Sequence, residues 1–178
     1  MTTYIALLRG INVSGQKKVP MADLRTLMSD LGFENVKTYI QSGNVVFQSS
    51  EEHVLILENQ ISESILNVFG FEVPVLVKSQ LQFQEIFDSN PFSEVQKSNS
   101  YFTLLAEIPK SDAVESVSKE TVVNETFVIT DSCVYFYSEH GYGKAKCNNN
   151  FFERKLKVSA TTRNFKTMQK LLSLCSDL

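Results

Sequence analysis

The sequence predicts an α+β protein of two ferredoxin-like (βαββαβ) halves, 1–80 and 81–178, with a helix at the C-terminus. Three observations lead there. The run Ile5-Ala6-Leu7-Leu8 has no polar alternation, as expected of a central strand covered on both faces. The segments that follow switch between helical and strand-like hydrophobic periods in the order β-α-β-β-α-β, the ferredoxin-like order of elements. That order then returns, more loosely, after residue 100. No residue-level repeat accompanies it, so duplication rests on element order alone.

Taken in turn, Pro20 can open a helix at its first turn, and Leu24, Leu27, Met28 and Leu31 form one apolar face before Gly32 closes it. Residues 36–40 and 44–47 flank Ser42-Gly43, a tight-hairpin signal. Ser49 and Glu52 have capping-box spacing for a second helix, carried by Val54, Leu57, Ile61, Ile65 and Val68 to Gly70. Residues 73–77 form the last strand of this half, and Pro74 assigns it to a sheet edge. Residues 80–99, with Pro91, are the expected junction. In the second half, 101–106 reads as strand, 111–119 as helix, and 127–130 pairs with 134–137. A short helix over 151–156 and a short strand over 158–161 follow. A terminal helix over 164–174 buries Phe165, Met168, Leu171 and Leu172.

This order has a geometric consequence. The outer strands of a split β-α-β unit run parallel, with a third strand antiparallel between them. The end of the first strand and the hairpin joining the second and third therefore share one sheet edge. Two polar signatures, Arg9-Gly10-Ile11-Asn12 and Gln41-Ser42-Gly43-Asn44, are expected to meet there.

Composition bounds the function. A chain of 178 residues with 43% hydrophobic and 21% charged residues suits one compact domain or two small ones. The run Ile5 to Leu8 is too short for a signal segment or a membrane span. Cys133, Cys147 and Cys175 show neither CxxC nor metal-ligand spacing, so reduced thiols and a cytoplasmic setting are expected. Charge is uneven. Residues 85–139 hold 3 Lys against 10 Asp or Glu, a net −7, while 140–170 hold 8 Lys or Arg against one Glu, a net +7. The acidic stretch argues against a nucleic-acid-coating surface. The basic stretch suits either a local phosphate contact or a solvated helix face.

Arg9, Asn12, Ser14, Gln16, Lys17 and Lys18 surround two glycines ahead of a helix N-terminus, a setting for a phosphate or carboxylate. The alternative is a loop braced by its own hydrogen bonds. Gly43 and Asn44 tolerate the positive φ of a turn, whereas Gln41 and Ser42 have no such need. No His or Lys at a recognisable spacing activates Ser42. Gly141-Tyr142-Gly143-Lys144 is a second Gly-Lys loop, read as a phosphate cradle or a charged turn. Thr161 or Thr162 is a candidate N-cap for the last helix, and Arg163-Asn164 beside it echoes the first signature. His53 is expected to be exposed and idle, and His140 is a weak acid–base candidate. No His, Cys, Asp or Glu cluster has metal-ligand spacing. Exposed aromatic platforms for RNA are not expected on strands apolar on both faces.

The run from Leu7 to Val13, then Met21, Leu24-Arg25, Gly32-Phe33 and the run from Thr38 to Phe47, resembles an uncharacterised bacterial family catalogued as domain of unknown function 1697. Tyr142-Gly143 and the run from Thr161 to Thr167 resemble that family's second signature, so the likeness spans nearly the whole chain. It implies a two-part α+β architecture with ferredoxin-like halves, and no activity. Two positions depart from the family's pattern: Ser14 stands where Gly is usual, and Phe165 where Trp is usual.

The residues together predict a protein binding a small phosphate-bearing or other anionic ligand, with a nucleotide among the candidates. Arg9, Lys17 and Lys18 would supply charge, and Asn12, Gln41, Ser42 and Asn44 orientation. Lys144, Arg163 and Asn164 are further candidate contacts. An enzyme acting on such a ligand and a structural or protein-interaction module are the alternatives. No cofactor, metal or membrane is expected, and nucleic acid is disfavoured.

Overall fold

Strand β1 (Thr2–Leu8) takes up the apolar run at the N-terminus in the computed structural model, which describes residues 1–177. It is followed by α1 (Met21–Asp30), β2 (Glu34–Tyr39), β3 (Asn44–Ser49), α2 (Val54–Phe69) and β4 (Val75–Ser79). These strands form a sheet in the order β2-β3-β1-β4 with every neighbouring pair antiparallel. That is the ferredoxin-like arrangement, with β1 central and β4 at the edge. Tyr4, Ala6 and Leu8 pack with Val45, Phe47 and Val77 against Leu24, Met28, Leu57, Ile61 and Ile65 of the two helices. Ile5, Leu7 and Val46, which alternate with them along the strands, are buried as well. Both sheet faces are therefore covered, which is why the run shows no polar alternation.

The chain continues through α3 (Gln80–Asp88) and α4 (Glu94–Lys97) to β5 (Tyr101–Leu105), α5 (Ser111–Ser118), β6 (Glu125–Ile129) and β7 (Cys133–Ser138). After a 3-10 turn at Tyr142–Lys144 come α6 (Asn149–Leu156), β8 (Ala160–Asn164) and α7 (Phe165–Ser176). The second sheet, β6-β7-β5-β8, repeats the order of the first. The molecule is α+β, built from two such halves. It forms two compact units, Met1–Glu85 together with the chain from Lys170 onward, and Ile86–Gln169.

Three local expectations are corrected. Ser49 ends β3 rather than capping α2. Its hydroxyl accepts from Glu51 N, and α2 starts after His53. A reciprocal capping box instead opens α3: Gln82 N donates to Ser79 Oγ, and Ser79 N to Gln82 Oε1. The junction region is thus partly helical. Finally, Thr161-Thr162-Arg163-Asn164 is strand rather than a lead-in loop, and the Asn164 carboxamide, accepting from Thr167 N at 2.9 Å, caps α7.

One device recurs in both halves. The fifth residue of α2, Glu58, accepts from the outward N–H of Val77 on edge strand β4 at 2.8 Å. The fifth residue of α6, Glu153, accepts from Ala160 N on edge strand β8, also at 2.8 Å. Each carboxylate occupies a donor that an edge strand otherwise offers to another chain.

Candidate functional site

The segment between β1 and α1 is a miniature hairpin. Gln16 N donates to Val13 O and Asn12 N to Lys17 O. The turn residues Ser14 (φ 50°) and Gly15 (φ 75°) both lie in the left-handed region, as a type I′ turn requires. Asn12 and Lys17, at φ 55° and 45°, share that region. The short polar side chain of Asn tolerates it.

Asn12 ties this hairpin to the one that follows. Its Nδ2 donates to Val19 O at 2.9 Å and to Gln41 O at 2.8 Å, while Oδ1 accepts from Val19 N at 2.9 Å. Both amide hydrogens are thereby engaged by backbone. Leu8 N donates to Gly43 O at 2.8 Å and Arg9 N to Pro74 O at 3.0 Å. The two signatures meet at one sheet edge, as the topology required.

Within the β2–β3 loop, Asn44 is fully buried and its Nδ2 donates to Tyr39 O and Ser42 Oγ. Gly43 has φ 76°, and a Cβ there would lie 2.6 Å from Leu8 Cβ and 2.9 Å from Ile11 Cδ1. Only glycine fits. Ile40 also takes positive φ, 49°, with its side chain 52% exposed. A β-branched residue in this region is strained, at a cost of about 1–2 kcal/mol.

The cations differ in how they are held. Lys17 Nζ donates to Glu72 O at 2.6 Å and lies 6.0 Å from the Phe71 ring centroid. Exposed Lys18 and Gln41 make no side-chain hydrogen bond or ion pair to any described residue. Arg9 is partly buried at the end of β1.

In the second unit, the Gly-Lys loop is pinned to the sheet by hydroxyl groups. Tyr142 OH donates to Thr162 Oγ1 at 3.2 Å and accepts from Asn149 N at 2.8 Å. Thr162 Oγ1 donates to Asn149 Oδ1 at 2.9 Å and pairs with buried Thr103 Oγ1 at 2.8 Å. The Tyr142 ring stacks on Tyr101 with centroids 4.6 Å apart. Sequence reasoning missed this network. Its signal was Thr103, a polar residue inside the otherwise apolar Tyr101–Leu105, because a buried hydroxyl needs a partner. Lys144 is exposed on the pinned loop. Arg163 donates to Thr161 Oγ1 and Thr162 O, and burial brings its guanidinium down to about 10, still charged at neutral pH. Part of the basic stretch is paired locally, Lys155 with Glu120 at 2.6 Å.

Nucleophilic and metal chemistry find little footing among the described residues. All three cysteines are buried and none is in a disulfide. Burial pushes the Cys147 thiol up to about 12, with Glu125 adding to the shift. Burial likewise raises Cys175 to about 11, against the opposing charge of Lys37. Thiols raised this far are poor nucleophiles. Among the described residues, no group of three or more His, Cys, Asp or Glu side chains is placed to hold a metal ion. No helix among the described residues is long and apolar enough to cross a membrane. His53 is exposed at the start of α2, and His140 Nε2 lies 2.9 Å from Asn124 Nδ2.

Comparison with known proteins supports the fold and adds no reaction. The chain is similar to a conserved bacterial protein, SP0830, from Streptococcus pneumoniae, with 27% identity, a TM-score of 0.76 and 98% of each chain covered. No curated protein matches it. A family described as protein of unknown function (DUF1697) matches over residues 1–135, three quarters of the sequence, and the chain belongs to that family.

Proposed function

We propose that the two loops at the end of the first sheet bind a small anionic ligand through its phosphate or carboxylate group, a nucleotide or phosphorylated metabolite being the favoured class. The Asn12 clamp carries this reading. It joins the loops through backbone atoms, and on the joined frame the side chains of Lys18 and Gln41 have no partner among the described residues. Asn12, Gly43 and Asn44 serve the frame. Lys17, held by Glu72 O, keeps two of its three N–H donors for a ligand. Arg9 adds positive charge, and exposed Ser42 lies between Gln41 and the buried Gly43. Ammonium and amide donors on a rigid frame bind an anion with little ordering cost. The strained Ile40 agrees with a binding role, since such backbone is retained where the surroundings over-determine it.

A thermal-shift screen against nucleotides, phosphorylated metabolites and dicarboxylates tests this. A ligand at 100 times its dissociation constant stabilises the fold by about 2.7 kcal/mol. The double substitution Lys17→Gln/Lys18→Gln is expected to lower the unliganded melting temperature only slightly, through loss of the exposed Lys17–Glu72 bond, and to abolish the ligand's shift. A screen without hits, or a shift that survives the double substitution, rejects the proposal. Turnover of a hit would mark the protein as an enzyme acting on that ligand.

A further inference from the structure

We infer that the second unit carries an anion site of its own, in a cavity of about 330 Å³ beside the loop 141–146, and that its ligand joins a phosphate or carboxylate to a small apolar body. The cavity size is at the lower end of small-molecule sites, enough for a ligand of modest size. Lys144 and Lys146 line it, and neither ammonium group has a partner among the described residues. Glu125 is on the same wall and opposes an anion only in part. Its Oε1 accepts from Lys146 N at 2.8 Å and its Oε2 from Cys147 N at 2.9 Å, so the carboxylate holds the loop while two lysines outnumber its charge. His140 also lines the cavity, its orientation set by Asn124.

The remaining wall is mixed, with Thr121 and Ser138 beside an apolar part. Val122 and Val123 supply that apolar part, and Val123 is 85% exposed. A large apolar side chain left this open beside two cations suits a ligand that is charged at one end and greasy at the other. The loop is also pre-formed. Tyr142, two residues before Lys144, is fixed by Thr162 and Asn149 and by stacking on Tyr101. Little ordering therefore accompanies binding. Because both ammonium groups are exposed, the attraction is screened by salt.

Calorimetric titration with inorganic phosphate and phenyl phosphate tests the site. It uses full-length Lys17→Gln/Lys18→Gln protein, so that the first-half loops contribute nothing and their failure as a site leaves this result intact. Phenyl phosphate is expected to bind more tightly than inorganic phosphate, and both to weaken as salt rises. Adding Lys144→Gln/Lys146→Gln is expected to lower both affinities at least about tenfold. Adding Val123→Ser instead should remove only the advantage of the phenyl group. Unchanged melting temperatures would show that both variants remain folded. The site is overturned if phenyl phosphate gives no saturable heat up to about 10 mM, or binds no better than inorganic phosphate. It is equally overturned if affinity survives loss of both lysines.

Discussion

Gly43 and Ser14 occupy the same left-handed backbone region, and substitution at each has an opposite expected sign. At Gly43 a methyl group meets Leu8 and Ile11 as well as a strained φ. Gly43→Ala is expected to cost roughly 3 kcal/mol in chemical denaturation. Ser14 carries a Cβ at φ 50° in an exposed turn. Ser14→Gly relieves that strain, against the greater freedom of glycine in the unfolded chain, for an expected gain of about 0.5 kcal/mol. Gly43 was legible in the sequence because Ser-Gly between two apolar runs signals a turn. The role of Asn12 was not, because its partner Gln41 is 29 residues away and is met through a backbone carbonyl. Spacing shows which polar groups lie near a loop, but not which carbonyls they find.

At the scale of elements, hydrophobic period located the strands and helices, and capping chemistry was where reading failed. Ser49-x-x-Glu52 and Ser79-x-x-Gln82 have the same spacing, yet only the second is a working box. α3 begins at Gln80, directly after Ser79, whereas α2 begins only at Val54 and the Ser49 hydroxyl is taken by Glu51 N. The apolar positions Phe83, Ile86 and Phe87 supported α3 and were available to read. The carboxylates on edge strands lead to a pH prediction. Burial raises the Glu58 carboxyl above the ordinary 4.5, partly offset by the Val77 N–H and by Lys78. The folded protein then holds this proton more tightly than the unfolded chain does. That contribution is fully present below the unfolded value and is lost as pH rises through the folded one. Glu58→Gln keeps an acceptor for Val77 N and removes the ionisation. Its melting temperature is expected to exceed that of the parent at neutral pH, with the advantage closing as pH falls below 4.5. A constant difference across pH would place the effect in packing.

Across the whole molecule, the two sheets share one strand order and one edge device, Glu58 in the first half and Glu153 in the second, without a recognisable sequence repeat. Element order was legible because each strand and helix carries its own hydrophobic period. The limits of the units were not, because the divisions fall inside α3 and α7, continuous helices whose periodicity runs on unbroken. The candidate site was legible as a place, the sheet edge where the signatures meet, and not as a division of labour. That division, with Asn12 bracing and Lys18 left for a ligand, is the central claim. Denaturation midpoints of Asn12→Ala and Lys18→Gln, each with and without a ligand from the screen, test it most directly. Asn12→Ala leaves buried Val19 N–H and C=O unpaired and is expected to lose roughly 2–3 kcal/mol without ligand. Lys18→Gln is expected to match the parent without ligand and to lack the ligand's added stability. A Lys18→Gln protein that keeps the full increment, or an Asn12→Ala protein as stable as the parent, would contradict the account.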